Sequence, residues 1–351
     1  MRRSKKIILI SAALLAAFWP CARGNDSAAS TALGGIQLRR EPRIAMLKER
    51  LTISTQKVTV EYEFLNESDS DITTEIAFPI PPYSIDPSAA GTRGFDDFRV
   101  WVEGVPVAYE TQAKARIYSK DYSMLLQKYG VDIGTLGHFR DQQEPFSTDF
   151  RKLSPAAQEE LTKAELFDAD EHLPQWTVEK TYHWQQTFPA HKLLHVRHEY
   201  KPGVGFTPVE TKVFDSTERK RQVAQDTKEG KTEIGSWLDE ASQIDKACVD
   251  PGLEKLLVAA NQIDPGPHGS YDKGYVRMVW VDYILTTANN WKTPIKDFEL
   301  VVEKPIVEGG LWYVSFCWDG PVKRIDASRF RARVRNFVPK KELHIAFFRV
   351  H

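Results

Sequence analysis

The stretch "KVTVEYEFLNESDSDITTEIAFPIP", Lys57 to Pro81, decides the fold class. Val58, Val60, Tyr62 and Phe64 fall on one face, and Lys57, Thr59, Glu61 and Glu63 on the other. A period of two with one apolar face is the pattern of a half-buried strand. Ile72, Thr74, Ile76 and Phe78 repeat it. Between them, "NESDSD" is rich in side chains that turn the chain by bonding their own backbone. Asp69-Ser70-Asp71-Ile72-Thr73 also spells D-x-D-x-T, the acidic signature of a phosphoryl-transfer nucleophile. That chemistry needs a buried βα loop, whereas strands continue on both sides here. The reading is a turn closing a hairpin, with Asp69 and Asp71 as turn residues.

Working outward, "FDDFRVWVEGVPVAYET" predicts two short strands around the Glu103-Gly104 hairpin signal. From Ala113 the period changes. Tyr118, Tyr122, Leu125, Leu126 and Tyr129 recur at helical spacing, and Ser154-Pro155 reads as an N-cap and first helical position. A helical insertion over about 116–174 is expected. Strands resume at "WTVEKTYHWQQTF" and "KLLHVRHEYKP". After Gly205 the chain is polar up to a helix at "DPGLEKLLVAANQ", with Asp250 as its cap. From Tyr275 on it is β again: "YVRMVWVDYIL", "FELVVEKP", "LWYVSFCW", "FRARVRNF" and "LHIAFFRV". The fold class is mainly β, built as antiparallel β-sandwich, in two β-rich parts: 25–205 with the helical insertion, and 206–351 with short helices before a C-terminal β domain.

The N-terminus addresses the compartment. "MRRSKK" is a basic leader, "IILISAALLAAFW" an apolar run, and Ala22-Arg23-Gly24 a small-x-small cleavage site, which together predict a secretory signal peptide over 1–24. The run is shorter than the roughly 20 residues a membrane-spanning helix needs, and no later stretch spans once the signal is removed. Lipid attachment at Cys21 and a retained N-terminal anchor are the alternatives. "NDSAASTALGGIQL" reads as a flexible lead-in. Of 351 residues, 47 are basic and 48 acidic; losing Arg2, Arg3, Lys5, Lys6 and Arg23 with the signal leaves a net charge of −6. That balance provides no general electrostatic reason to bind nucleic acid. Cys248 and Cys317 remain, and an even pair in an oxidising compartment predicts one disulfide.

At Phe64-Leu65-Asn66, Phe78-Pro79-Ile80-Pro81, Ala113-Lys114-Ala115-Arg116-Ile117-Tyr118 and "TFPAHKLLHVRHEYKP", the chain resembles the VIT (vault and inter-alpha-trypsin) domain over about residues 36–205. The likeness implies an antiparallel β-sandwich. The D-x-S-x-S of the adhesion domain that often accompanies VIT is absent. At "NDSAASTALGGI", "DITTEIAFPIP", "WTVEKTYHWQQTFPAHK", "HEYKPGVG", "WVDYILTTANNWKTPIKDFELVVEK" and "VSFCW", the whole mature chain is similar to a bacterial exported family known as domain of unknown function 4424. That resemblance implies no activity.

No motif carries a catalytic set. Gly230-Lys231-Thr232 ends like a P-loop, but position 225 is Gln where the loop needs glycine. His183, His191, His195 and His198 cluster in sequence, yet side chains alternate along a strand. His198, read with the core face, is expected to be a structural histidine. Arg329, Arg331, Arg333 and Arg335 share one strand face. They suit an anionic glycan or lipid headgroup; the simpler reading pairs them with Asp297, Glu299 and Glu303 nearby. Eight tryptophans survive signal removal, and exposed ones would suit sugar stacking. The expectation is a non-enzymatic, exported, periplasmic protein without a cofactor or metal. It acts through its surface on another envelope or secreted protein, with anionic-ligand or glycan binding by the arginine strand as the alternative and an envelope hydrolase behind both.

Overall fold

The computed structural model describes residues 25–32, 35–84, 95–134, 147–170, 172–230, 237–260, 274–305 and 311–350. The predicted signal, Cys21 and Lys231-Thr232 lie outside them. In chain order the strands are β1 (Ser27–Ala32), β2 (Gly35–Arg39), β3 (Ile44–Ile53), β4 (Val58–Asn66), β5 (Ile72–Pro79), β6 (Tyr83–Ser84), β7 (Asp96–Val102), β8 (Val105–Pro106), β9 (Glu110–Ile117) and β10 (Lys120–Asp121). Three helices follow, α1 (Ser123–Lys128), α2 (Ser147–Lys152) and α3 (Pro155–Lys163), then β11 (Thr177–Phe188), β12 (Leu193–Lys201) and β13 (Gly205–Glu210). Helices α4 (Ser216–Glu229), α5 (Trp237–Lys246) and α6 (Pro251–Ala260) precede β14 (Tyr275–Tyr283), β15 (Ile295–Glu303), β16 (Leu311–Phe316), β17 (Val322–Arg324), β18 (Arg329–Phe337) and β19 (Leu343–Val350).

The protein is mainly β, with antiparallel sheets packed as a sandwich. An eight-stranded sheet runs β17-β18-β15-β3-β4-β12-β7-β8. A seven-stranded sheet runs β10-β9-β11-β5-β1-β2, with β6 beside β11, and a four-stranded sheet runs β13-β14-β19-β16. The inner face of the eight-stranded sheet shares one core with the other two. Parity along the strands explains the four-stranded sheet. Val281, Tyr283, Ile345 and Phe347 face that shared core, while Met278, Trp280, Ala346 and Phe348 face a second core under α5 and α6. A sheet covered on both faces favours a strand with a continuous apolar run, and Ile345-Ala346-Phe347-Phe348 in β19 is one.

Three expectations change. The turn at Glu67–Asp71 is there, but it joins no hairpin: β4 pairs with β3 and β12, while β5 pairs with β1 and β11 in the opposite sheet. Both strands have an apolar face to cover, and crossing between sheets lets the two faces pack on each other. Asn66 holds the crossing. It is fully buried, its Nδ2 donates to the Ser70 and Phe188 carbonyls (both 2.8 Å), and its Oδ1 accepts from Ser68 N at 2.9 Å. Second, Ala113–Ile117 is strand; the helical period becomes helix only at Ser123. Third, the supposed flexible lead-in forms β1 and β2, which pair with each other while β1 also pairs with β5. Its small residues, such as Ala28 and Ala29, fit where covering side chains leave little room. The parts before and after residue 205 meet in one sheet. β15 lies parallel to β3, with Asp297 opposite Lys48 and Leu300 opposite Leu51.

Helix caps fall where the sequence places them. Ser154 Oγ accepts from Ala157 N with Pro155 at the first position, and Asp250 Oδ1 accepts from Gly252 N and Leu253 N. Cys248 and Cys317 form a disulfide, Cα to Cα 5.0 Å, tying the turn between α5 and α6 to the end of β16.

Candidate functional site: the outer face of the eight-stranded sheet

In β3, β4, β12, β15 and β18, alternate residues point away from the core, and these carry the charge. Register aligns them into rows across the sheet. One row runs Arg335, Asp297, Lys48, Glu63, His195; the next runs Arg333, Glu299, Arg50, Glu61, Arg197, Trp101. Each basic residue sits opposite an acidic one on the neighbouring strand, the arrangement that stabilises cross-strand pairs. Lys48 Nζ lies 2.9 Å from Glu63 Oε1, and Arg50 Nε 4.0 Å from Glu299 Oε1.

The arginine strand belongs to this face. Arg333 grips Asp297 in two places, Nε to Oδ1 being 2.7 Å, and holds that carboxyl below its ordinary range. Arg329 is paired with Asp326 at 2.7 Å. Arg331 lies opposite Val301 and Arg335 opposite Asp297. The four guanidinium groups share the outer face.

A cavity of about 430 Å³ opens near the other end of the same rows. Lys48, Arg50, Glu61, Glu63, Trp101 and Arg197 line it. The Arg197 guanidinium stacks 5.1 Å from the centre of the Trp101 ring and also reaches Glu199 Oε2 at 2.6 Å. The Glu103-Gly104 turn, with both residues at positive φ (49° and 77°), borders it. That turn is pinned to β12: His195 N donates to Glu103 Oε1 at 2.6 Å and Glu103 N donates to the His195 carbonyl at 2.9 Å. A flat aromatic ring edged by donors and acceptors of both signs is chemistry for a polar, hydroxyl-rich ligand. Sequence reading missed this site, because its residues come from four strands. The period-two pattern does place each of them outward.

The four histidines do not converge. His183 faces Glu75 (2.7 Å), His191 faces Asp69 (2.8 Å) and His195 faces Glu103 (3.1 Å), on different parts of the surface. Asp71 Oδ1 accepts from Ala190 N at 2.8 Å, so both aspartates of the opening motif dock the β4–β5 turn onto the β11–β12 turn. Among the described residues no three His, Cys, Asp or Glu side chains are grouped to hold a metal ion. Of the tryptophans, Trp176, Trp184, Trp280 and Trp291 are core, while Trp101, Trp312 and Trp318 are half-buried.

His198 belongs to a second polar cluster, sealed in the core. Its ring is 0% exposed and boxed by the edges of Tyr62, Phe78, Phe98 and Trp184. Its Nε2 lies 3.3 Å from Asp26 Oδ2, with Asp26 1% exposed. Beside them, Asn25 Nδ2 donates to both oxygens of Glu49 at 3.0 Å, and the Tyr62 hydroxyl donates to Asn25 Oδ1. The Tyr62 and Tyr283 hydroxyls are 3.3 Å apart. Burial pushes the Glu49 carboxyl up to about 8, with the Asp26 charge adding to it and the Asn25 amide opposing. Burial raises Asp26 also, against the pull of His198. Glu49 lies two residues before Leu51 and four before Ile53, so its inward position was readable from strand parity.

A family model described as a domain of unknown function, DUF4424, matches residues 24–346. No curated protein matches the chain. Among matching solved structures is a "putative nutrient binding protein" from Legionella pneumophila subsp. pneumophila. It is 13% identical, and the match covers 93% of this chain and 70% of that one at a TM-score of 0.40, too distant a likeness to bear on function.

Proposed function

The chain belongs to the DUF4424 family, and from the geometry above we propose that it is an exported, periplasmic, non-catalytic binding protein of the bacterial envelope. Its ligand site is the cavity at Trp101. One observation carries the reading: an aromatic platform, Trp101, stands among Lys48, Arg50, Glu61, Glu63 and Arg197 around a cavity of about 430 Å³. Ligand sites of roughly 300–1,000 Å³ with a few placed polar groups are the usual size for small molecules. The ligand class is a saccharide of the envelope, its ring lying against Trp101 beside the stacked Arg197 guanidinium and its hydroxyls bonding the flanking charges. The titratable cluster around His198 is closed to solvent, which supports a binding role over hydrolysis. Export rests on the N-terminal leader pattern, and the VIT-like character of 36–205 on the Asn and Phe-Pro-Ile-Pro that end or follow β4 and β5.

The test is calorimetric titration of residues 25–351 with soluble envelope oligosaccharides, peptidoglycan strand fragments and lipopolysaccharide core. Saturable binding is expected, lost in Trp101→Ala and weakened at least about tenfold in Arg50→Ala. No binding of any saccharide would overturn the reading. Binding indifferent to Trp101→Ala but salt-sensitive and abolished by Arg331→Ala with Arg333→Ala would move the site to the arginine strand.

A second contact, with another envelope or secreted protein, is favoured by Tyr118. It is 98% exposed at φ 53° in the β9–β10 turn, with exposed Met124 six residues on. A two-residue hairpin turn calls for positive φ at such a position, and there it holds the Tyr118 ring clear of the sheet, where an aromatic side chain can meet a partner. Capture of an envelope protein that disappears on Tyr118→Gly with Met124→Ser supports it, and unchanged capture removes it.

A further inference from the structure

The first two residues after the expected signal cleavage site lie in a buried polar cluster. Asn25 is 0% exposed and Asp26 1%, where an N-terminal segment is ordinarily solvated. Asp26 is anchored from the far end of the chain: Trp291 Nε1 donates to the Asp26 carbonyl at 2.8 Å, and Asn290 Nδ2 to Ser27 Oγ at 2.8 Å. Around them stand two carboxylates, Asp26 and Glu49. Facing these from every packed element are Tyr62 on β4, His198 on β12 and Tyr283 on β14. His198 reaches Asp26 alone, and Glu49 is met by the neutral Asn25 amide. Asp26 Oδ1 is buried with no hydrogen-bond partner. With two buried carboxyl groups and one imidazole, which faces Asp26, Glu49 has no cation to favour its ionised form, and ionising it unpaired is costly.

We propose that signal removal after Gly24 supplies the missing cation: the new α-ammonium of Asn25 is the counter-ion of the buried Glu49–Asp26 pair. Hydrolysis of the Gly24–Asn25 amide adds one water, leaving a carboxylate on the departing signal and an ammonium on Asn25. The precursor carries a neutral amide there. Until export Glu49 is held neutral, and the chain reaches its full stability only after processing supplies the cation that its ionised form pairs with. This rests on the export part of the functional reading, not on the saccharide site.

The first measurement is the N-terminal sequence of protein recovered from an exporting bacterium. Asn25 is expected. A different first residue on periplasmic protein overturns this proposal while leaving export standing; a cytoplasmic protein with its leader intact overturns both. The second is acylation of the Asn25 α-amine near pH 7, where a free α-amine of pKa roughly 7.7–8.0 reacts ahead of lysine. In the folded protein it is expected to react on the order of a hundredfold more slowly than in denaturant, and equal rates overturn the pairing. The third compares the chain starting at Asn25 with one that keeps Arg23-Gly24. The folding equilibrium constant is expected to be at least about tenfold larger for the former, and the advantage to shrink in Glu49→Gln. Equal stabilities, or an advantage that Glu49→Gln leaves whole, overturn it; the acylation rate needs no variant and decides the matter if Glu49→Gln does not fold.

Discussion

Glu49 is the residue at which physics and position conflict most. A strand residue two places before Leu51 must face inward, and an inward carboxyl in an apolar core resists ionisation. Its folded pKa, about 8, is above the ordinary 4.5. Between those values the folded chain binds a proton that the unfolded chain has released. Stability therefore falls as pH rises from about 4.5 to about 8 and levels off above. In a chain that keeps Gly24, urea midpoints should show that decline, and Glu49→Gln should flatten it. In the chain starting at Asn25 the α-ammonium favours ionised Glu49, so the decline should be much smaller. Asp26, His198, Tyr62 and Tyr283 share the cluster, which is why the slope belongs to the group and only the part removed by Glu49→Gln belongs to Glu49.

At the scale of elements, the β4–β5 crossing separates two kinds of polar residue that look alike in sequence. Asn66 is buried and bonds three backbone groups, whereas Asp69 and Asp71 sit on the surface. Asn66→Ala should cost about 2 kcal/mol or more, since it strands buried carbonyls. Asp69→Asn with Asp71→Asn should cost under about 1 kcal/mol. Denaturant midpoints at constant m-value check both. The disulfide works on a longer loop. It closes a separation of 69 residues, for which loop entropy predicts a contribution of about 4 kcal/mol. Cys248→Ser with Cys317→Ser should lower the midpoint accordingly and first loosen the packing of α5 and α6 on the four-stranded sheet. Hydrogen exchange of the α5 and α6 amides is the readout; unchanged protection there would mean the cores hold those helices unaided.

At the scale of the molecule, the decisive contact is β15 against β3. Through it β15, β18 and β17 extend a sheet begun by the first part of the chain. Phe298, Leu300, Val302 and Ala332, each at most 1% exposed, fill its core. A fragment of residues 25–204 would leave β3 as an open apolar edge and strip Tyr283 from the Tyr62 hydroxyl. It should fail to fold cooperatively, seen as loss of near-ultraviolet circular dichroism and concentration-dependent aggregation. A monomeric fragment with a sharp thermal transition would show that the first part carries its own core.

The alternating strands such as β4, β5, β11, β12 and β18, their inward residues, the helix caps at Ser154 and Asp250 and the turn at Glu67–Asp71 were legible in the sequence. Each is set within a few residues, by a period of two, a side chain that bonds its own backbone, or a proline that fits a first turn. Tertiary structure alone decided which strands pair. It turned a hairpin into a crossing between sheets, made strand of Arg116–Ile117 and Lys120–Asp121 inside the expected helical insertion, and drew the N-terminal lead-in into β1. It also joined Trp101, Arg197, Glu61 and Arg50 in one row, and Asn25, Glu49, His198 and Tyr283 in one buried cluster. Pairing depends on how apolar faces far apart in the chain cover one another. Residue order carries the parity of each face but not the identity of its partner.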